Sequence, residues 1–245
     1  MPSPEPFHQS KVPIVTPTGP GAAARTRSLL EDLEAVRENL MALSDAIWLA
    51  IDHNDAQALE AGVEFKRKYN AKVAEFHTMA GELSVLVQQY TSVRLEQAEE
   101  SGSDDRDTNA RIIAELNREV AHHLQEDFTY KRPHGFIFCA QATTGITTWQ
   151  RLYELVLKQL WQRDSARFQS LLEDPDFLSN RGHPTFCRDP QRLRLPMLVA
   201  ENVYAESNLS ANGIRDHLRR ALEAFGIPAE DFSVFLRQDR DAGRG

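Results

Sequence analysis

NVYAESNLSANGIRDHLRR, residues 202–220, moves from a β-prone entry into a polar cluster and then into an amphipathic helix. Val203-Tyr204-Ala205-Glu206 reads as extended chain. Ser207, Asn208, Ser210 and Asn212 follow, and such short polar side chains satisfy the orphan amides of a helix N-terminus. Ile214, Leu218, Leu222 and Phe225 then share one helical face, which predicts a helix over 210–225. Gly226 suits the position just past its end and Pro228 marks the stop. Phe232 to Arg237 alternates as a closing strand.

The stretch upstream has the same texture. Lys131-Arg132-Pro133-His134-Gly135 breaks the chain before a short strand-prone run, Phe136 to Cys139. A second run, Gly145 to Trp149, enters a helix with Leu152, Leu155, Val156, Gln159 and Leu160 on one face, capped by Thr147 or Thr148. Further elements are a helix over 165–172, a turn at Glu173-Asp174-Pro175-Asp176 and a strand within 183–188. Asp189-Pro190 is a turn, and Leu195 to Val199 is apolar but broken by Pro196. Short strands and helices out of strict βαβ order predict a small α+β domain over 130–237.

The first half of the chain is different. Leu29, Leu33, Val36, Leu40, Leu43, Ile47 and Ala50 alternate steps of four and three, the seam of a coiled-coil-like helix. Asp52-His53-Asn54-Asp55 stops it, and Asn54 or Asp55 can cap the next helix. That second helix continues the rhythm through Leu59, Gly62, Lys66, Tyr69, Val73, Phe76, Ala80, Leu83, Val87, Tyr90 and Arg94. An acidic loop, 99–105, leads to a third helix over 108–126 with Ile112, Ile113, Leu116, Val120 and Leu124 on one face. Lengths of about 25, 45 and 18 residues would span roughly 38, 68 and 27 Å, so the outer two helices together match the middle one. The expected fold is therefore mainly α: an antiparallel three-helix rod over 27–127 followed by the α+β domain. A Pro/Ser/Thr/Gly-rich arm, 1–26, precedes it and a polar tail, 238–245, follows.

The 245 residues carry 28 Lys+Arg against 36 Asp+Glu, a net charge of −8. From Gln125 onward the count is 16 against 16, so the whole deficit lies in the first half. A bulk attraction to DNA or to acidic membranes is not expected. The neutral half prefers Arg to Lys, which suits bidentate pairing and stacking. Two cysteines give no disulfide framework, and no apolar run is long enough to span a membrane. A reduced, cytoplasmic protein is expected.

Four sets of residues bear on chemistry. Ser210 and Asn212 at a helix start, with Arg215, Arg219 and Arg220 on the helix and Arg188, Arg192 and Arg194 nearby, form a candidate anion or nucleic-acid site. The plainer reading is a well-capped core helix with solvated arginines. His134, Cys139, His183 and Cys187 could supply a tetrahedral zinc site, although neither pair has the tight Cys-x2-Cys spacing and cysteines beside Phe are usually buried apolar groups. His122-His123 reads as a solvated doublet near a helix end. No G-x-S-x-G, P-loop, G-x-G-x-x-G, H-E-x-x-H or Cys-x-x-Cys motif occurs, so neither a catalytic residue nor a cofactor is assigned. A nuclease-like set of Asp174, Asp176, Asp189, Glu206 and Lys158 has no supporting spacing.

The succession Tyr204-Ala-Glu206-Ser-Asn208-Leu-Ser210-Ala-Asn212, the helix ending Phe225-Gly226 and the closing run 232–236 resembles a small C-terminal module of uncharacterised bacterial and archaeal proteins, some encoded near defence genes. The resemblance covers residues 131–237. It implies a prokaryotic, non-secreted accessory protein and no catalytic residues.

The leading expectation is a non-catalytic interaction or adaptor protein. Its helical rod would bind a protein partner or a second copy through Tyr69, Val73, Phe76, Leu83, Val87 and Tyr90. The alternative is a nucleic-acid-binding regulator using the helix over 210–225. A metal-dependent nuclease or hydrolase is the third reading.

Overall fold

The computed structural model describes residues 21–91, 93, 106–179 and 182–238, and the backbone of 99–100. Residues 1–20 of the expected arm, the loop over 101–105 and the tail beyond Gln238 lie outside the described residues. The architecture is mainly helical, with six α-helices and two small antiparallel sheets among the described residues.

Helix α1 spans Ala22–Leu49 and α2 spans Ala56–Tyr90, joined by a tight turn into an antiparallel hairpin. The first helix therefore starts inside the stretch expected to be an arm. Asp55 caps α2, its Oδ1 accepting the N–H groups of Gln57 at 2.8 Å and Ala58 at 3.2 Å. Small residues are buried on the α2 side of the hairpin, where Gly62, Ala80 and Ser84 lie on one face, and Ser44 is buried on α1. A Cβ on Gly62 would overlap the Ile51 side chain, so glycine leaves room for the turn that joins the helices. Polar bonds cross the seam as well. Tyr69 donates to the Leu40 carbonyl at 2.9 Å, Lys66 to the Ser44 carbonyl at 2.9 Å, and Ser44 to Asn70 Oδ1 at 3.3 Å.

The third helix departs from the expected rod. Helix α3 spans only Arg106–Leu116, and the chain then forms a strand at Ala121–His122 instead of staying helical to 126. The two histidines expected beside a helix end accordingly sit at a strand, where His122 Nδ1 donates to Glu126 at 2.7 Å. A five-stranded antiparallel sheet has the order β1–β4–β3–β8–β2, where β1 is Glu99–Glu100, β2 Ala121–His122, β3 Pro133–Phe138, β4 Gln141–Thr144 and β8 Phe232–Leu236. The two-residue alternation of strands explains why α3 belongs here. Phe136, Phe138, Phe232, Val234 and Leu236 face the main core, while Ile137, Ala142 and Phe235 point the other way. Ile112, Ile113 and Leu116 of α3 cover that second face. Gly135 makes room for this cover, since a Cβ there would lie 3.1 Å from the Leu116 side chain. An apolar sheet face needs a lid, and that requirement outweighs continuation of a coiled-coil rhythm.

The β3–β4 strands form a hairpin whose turn is Cys139-Ala140, both left-handed at φ 47° and 63°. Asn109 of α3 clamps it, donating to the Ala140 carbonyl at 2.9 Å and accepting the Ala142 N–H at 2.8 Å. The second strand expected over 145–149 thus lies four residues earlier.

Helix α4, Trp149–Arg163, is the hub of the core. Thr148 caps it by accepting the Arg151 N–H at 3.0 Å, and Trp149, Leu152, Tyr153, Leu155, Val156, Leu157 and Leu160 are all buried. Its neighbours are α5 (Ser165–Ser170), α6 (Ala211–Ala224), the five-stranded sheet and a three-stranded sheet. The latter has the order β5–β7–β6, from Phe186–Cys187, Val203–Glu206 and Pro196–Ala200. Pro196 opens an edge strand, where a missing N–H is tolerated, so the apolar run it interrupts is a strand after all. Gly226, at φ 64°, ends α6: its N–H reaches the Glu223 carbonyl and that of Ile227 reaches the Leu222 carbonyl, each at 2.9 Å. This pair of bonds is a Schellman closure.

Helix α1 rests on the α+β body. Arg237 pairs with Glu31 at 3.3 Å and Arg132 with Asp32 at 3.2 Å. Glu38 accepts the Gln150 N–H at 3.1 Å, and Ser210 donates to Asp45 at 3.3 Å. No helix among the described residues is long and apolar enough to cross a membrane.

Candidate functional site

The N-terminus of α6 is already occupied. Ser210 Oγ accepts the Gly213 N–H at 3.2 Å while its hydroxyl is directed at Asp45 Oδ2 of α1. The negative charge that a bare helix start attracts is thus supplied from within the chain. Asn212 is equally engaged: its Oδ1 accepts the Phe128 N–H at 2.9 Å, and its Nδ2 donates to Asp127 at 2.7 Å and Thr129 at 2.9 Å. The Thr129 hydroxyl and the Asn212 amide hold the Asp127 carboxyl down to about 2.

The candidate arginines are dispersed. Arg215 donates to the Glu126 carbonyl at 2.7 Å, to Asn212 at 3.1 Å and through two nitrogens to Asp216. Arg220 donates to the Asp176 carbonyl at 2.7 Å and lies over the Phe177 ring at 5.8 Å. Arg188 donates to Gln169 at 3.2 Å. Arg219 is exposed, 3.8 Å from Asp216, and Arg192 is exposed in the short turn Pro190–Arg192. Arg194 points elsewhere, into a cleft beneath the hairpin. The structure does not gather these side chains into one patch.

The four candidate metal ligands also stay apart. His134 on β3 donates to Glu119 at 2.5 Å, and Cys139 sits in the β3–β4 turn. Cys187 belongs to the other sheet, donating to the Asp189 carbonyl at 3.1 Å, and His183 is exposed ahead of it. Burial pushes both thiols above their usual range. Among the described residues no group of three or more His, Cys, Asp or Glu side chains is placed to hold a metal. The carboxylates imagined for a nuclease are occupied locally: Asp174 and Asp189 cap short turns, and Glu206 accepts three backbone N–H groups. Lys158 pairs with Glu154 at 2.6 Å.

The hairpin presents two unlike faces. At 100° per residue, Leu29, Val36 and Leu43 lie roughly 140–180° around α1 from Glu38, which contacts the body. Those three residues are exposed, as are Phe65, Met79, Leu83, Leu86 and Tyr90, which share one side of α2 at 100° per residue. Of the face expected from the sequence, Val73 turns inward to α1 and Tyr69 bonds to it, while Leu83 and Tyr90 remain outward. The expected seam of α1 is likewise divided. Its Leu29–Val36–Leu43 edge looks out, and the bonds to α2 run through Leu40 and Ser44.

The inner face of the hairpin opposes the body across a cleft. Two adjoining chambers, about 440 and 650 Å³, share Lys66, Asn70 and Arg194. At its inner end lie His77 and Asn208, with Glu38 and Gln150 behind them. Glu38 is buried, and that burial pushes its carboxyl from about 4.5 to about 7 despite the opposing pull of the Gln150 N–H and of Arg37. Deeper in the body, Tyr153 and His217 share a hydrogen bond at 3.2 Å, and burial lowers the imidazole to about 4.

No protein-family model matches this chain, and no curated protein or solved structure is significantly similar to it.

Proposed function

We propose that the protein is a non-catalytic interaction subunit that pairs with a second copy of itself through the outer face of its helical hairpin. The exposed apolar stripe carries this reading. Leu29, Val36, Leu43, Phe65, Met79, Leu83, Leu86 and Tyr90 expose on the order of 700–800 Å², close to the ~800 Å² that each partner contributes to a standard interface. Residues 29, 36 and 43 recur every seven positions, the spacing of a helix seam that meets a partner helix. Two hairpins stacked on these faces would form a four-helix bundle and leave the α+β bodies at its outside.

Light scattering on the full-length chain tests the reading. A dimer is expected at micromolar concentration, and its helicity should match that of the dissociated chain. A strict monomer at every concentration would remove the basis for this proposal.

A further inference from the structure

We infer that the cleft between the hairpin and the α+β body is a binding site for a small phosphorylated molecule with a planar ring, of the mononucleotide class. Four independent features converge on it.

The first is charge. Lys66 and Arg67 of α2 and Arg194 from the loop before β6 line the outer chamber. The chain as a whole is acidic, so three cations from two separate parts of the fold mark this place. Lys66 has Asp45 at 3.4 Å and Arg67 has Glu64 at 3.0 Å, whereas Arg194 is exposed and lines both chambers. A phosphate is the group that suits a fork of guanidinium donors beside an ammonium.

The second is the inner end. His77 Nε2 and Asn208 Oδ1 are buried and have no hydrogen-bond partner. The other side of the His77 ring is tied to the backbone of Arg37, and burial keeps the imidazole below its usual titration range. A neutral ring that donates through one nitrogen presents a lone pair at the other. Both atoms are sealed from solvent beside the chamber, so an amino or hydroxyl group would complete them once the inner wall yields; buried polar atoms without partners are uncommon in folded proteins.

The third is the apolar wall. Trp48 and Val63 line the same chamber as the cations, so a ring could lie against the indole while its phosphate meets Arg194. The fourth is size. Chambers of about 440 and 650 Å³ fall within the range of small-molecule sites, and a site at a junction of two structural units is a usual location for one.

Calorimetry and thermal-shift measurements on the full-length chain, with AMP and GMP as probes, decide the matter. At least one mononucleotide should bind and raise the melting temperature, with affinity that falls as salt is added. Arg194→Ala, a surface change outside every core contact, should weaken that binding at least tenfold and leave the unliganded melting temperature unchanged. His77→Leu, which removes the orphaned nitrogen together with the ring's bond to the Arg37 backbone, should weaken binding as well, with far-ultraviolet dichroism checking that the chain stays folded. Adenosine should bind at least tenfold more weakly than AMP and be indifferent to Arg194→Ala. Absence of mononucleotide binding at millimolar concentration would overturn the inference, as would binding that Arg194→Ala leaves intact. Inorganic phosphate binding as tightly as AMP would overturn the ring-binding part. Capture of a poly-glutamate peptide without mononucleotide binding would reassign the cleft to acidic peptides.

Discussion

The carboxylate of Glu38 accepts the backbone N–H of Gln150 at 3.1 Å, so a residue in the middle of α1 completes the first turn of a helix 112 positions further on. Helix starts favour a carboxylate, but this one is paired with backbone in a nearly closed junction. Its attraction to the amides does not offset the loss of water, and its affinity for protons rises.

Glu38 predicts a pH dependence of defined sign. Its folded value of about 7 exceeds the usual 4.5, so between these values the folded chain holds a proton that the unfolded chain has lost. Stability should fall as pH rises from about 4.5 to 7, by up to roughly 3 kcal/mol, and then level off as far as this group is concerned. Glu38→Gln keeps an oxygen for the Gln150 N–H and removes the titration. Urea denaturation at pH 5 and pH 8 should show a flatter profile for the variant and a higher midpoint at pH 8. Equal pH dependence in both proteins would contradict this.

Asn212 ties α6 to the segment 127–129, and its loss should be felt in stability. Asn212→Ala leaves the N–H of the buried Phe128 without its acceptor and removes contacts to Asp127, Thr129 and Arg215. An orphaned buried donor costs about 1–3 kcal/mol, and for a chain of this size about 2 kcal/mol lowers the melting temperature by about 4–8 °C. Differential scanning calorimetry measures it. A shift below about 1 °C would show that water replaces the amide.

Gly226 isolates a backbone effect. It has φ 64°, and a Cβ there would have only ordinary contact with Arg167, at 3.9 Å. Gly226→Ala should therefore destabilise by about 1–2 kcal/mol through left-handed strain alone, while Gly226→Asn costs less. Denaturation midpoints of the two variants should rank in that order.

Leu83 and Leu86 are 49 % and 55 % exposed, so their replacement disturbs little buried packing. Leu83→Glu with Leu86→Glu should convert the expected dimer to monomer by light scattering and leave far-ultraviolet dichroism per residue unchanged. A dimer that survives would place the contact elsewhere on the molecule.

Local signals in the chain were readable wherever a cap or stop decides the outcome. Asp55, Thr148, Ser210 and Gly226 act as their identities suggest, because each works on backbone within a few residues. The burial of α1 was not readable in the same way. Its buried positions include Ala35, Glu38, Ala42 and Ser44, which a hydropathy pattern passes over in favour of Leu29, Val36 and Leu43. The placement of α3 depends on Ile137, Ala142 and Phe235, whose outward direction follows from strand register and not from any stretch of sequence near α3. The cleft was invisible for a related reason. Lys66 and Arg194 lie 128 positions apart, and each looks like an ordinary surface cation until the hairpin is laid on the body.

The order of strands in the five-stranded sheet has a practical corollary. Its two outermost members, β1 and β2, are both delivered by the stretch that arrives from the hairpin, one on either flank, with α3 between them in sequence. A shortened chain beginning near residue 130 would retain the inner strands but carry two raw flanks and an uncovered apolar surface. Unpaired flanks recruit other chains. Any clumping of such a fragment would report the severed sheet, and only a cut placed upstream of Glu99 would leave the body whole.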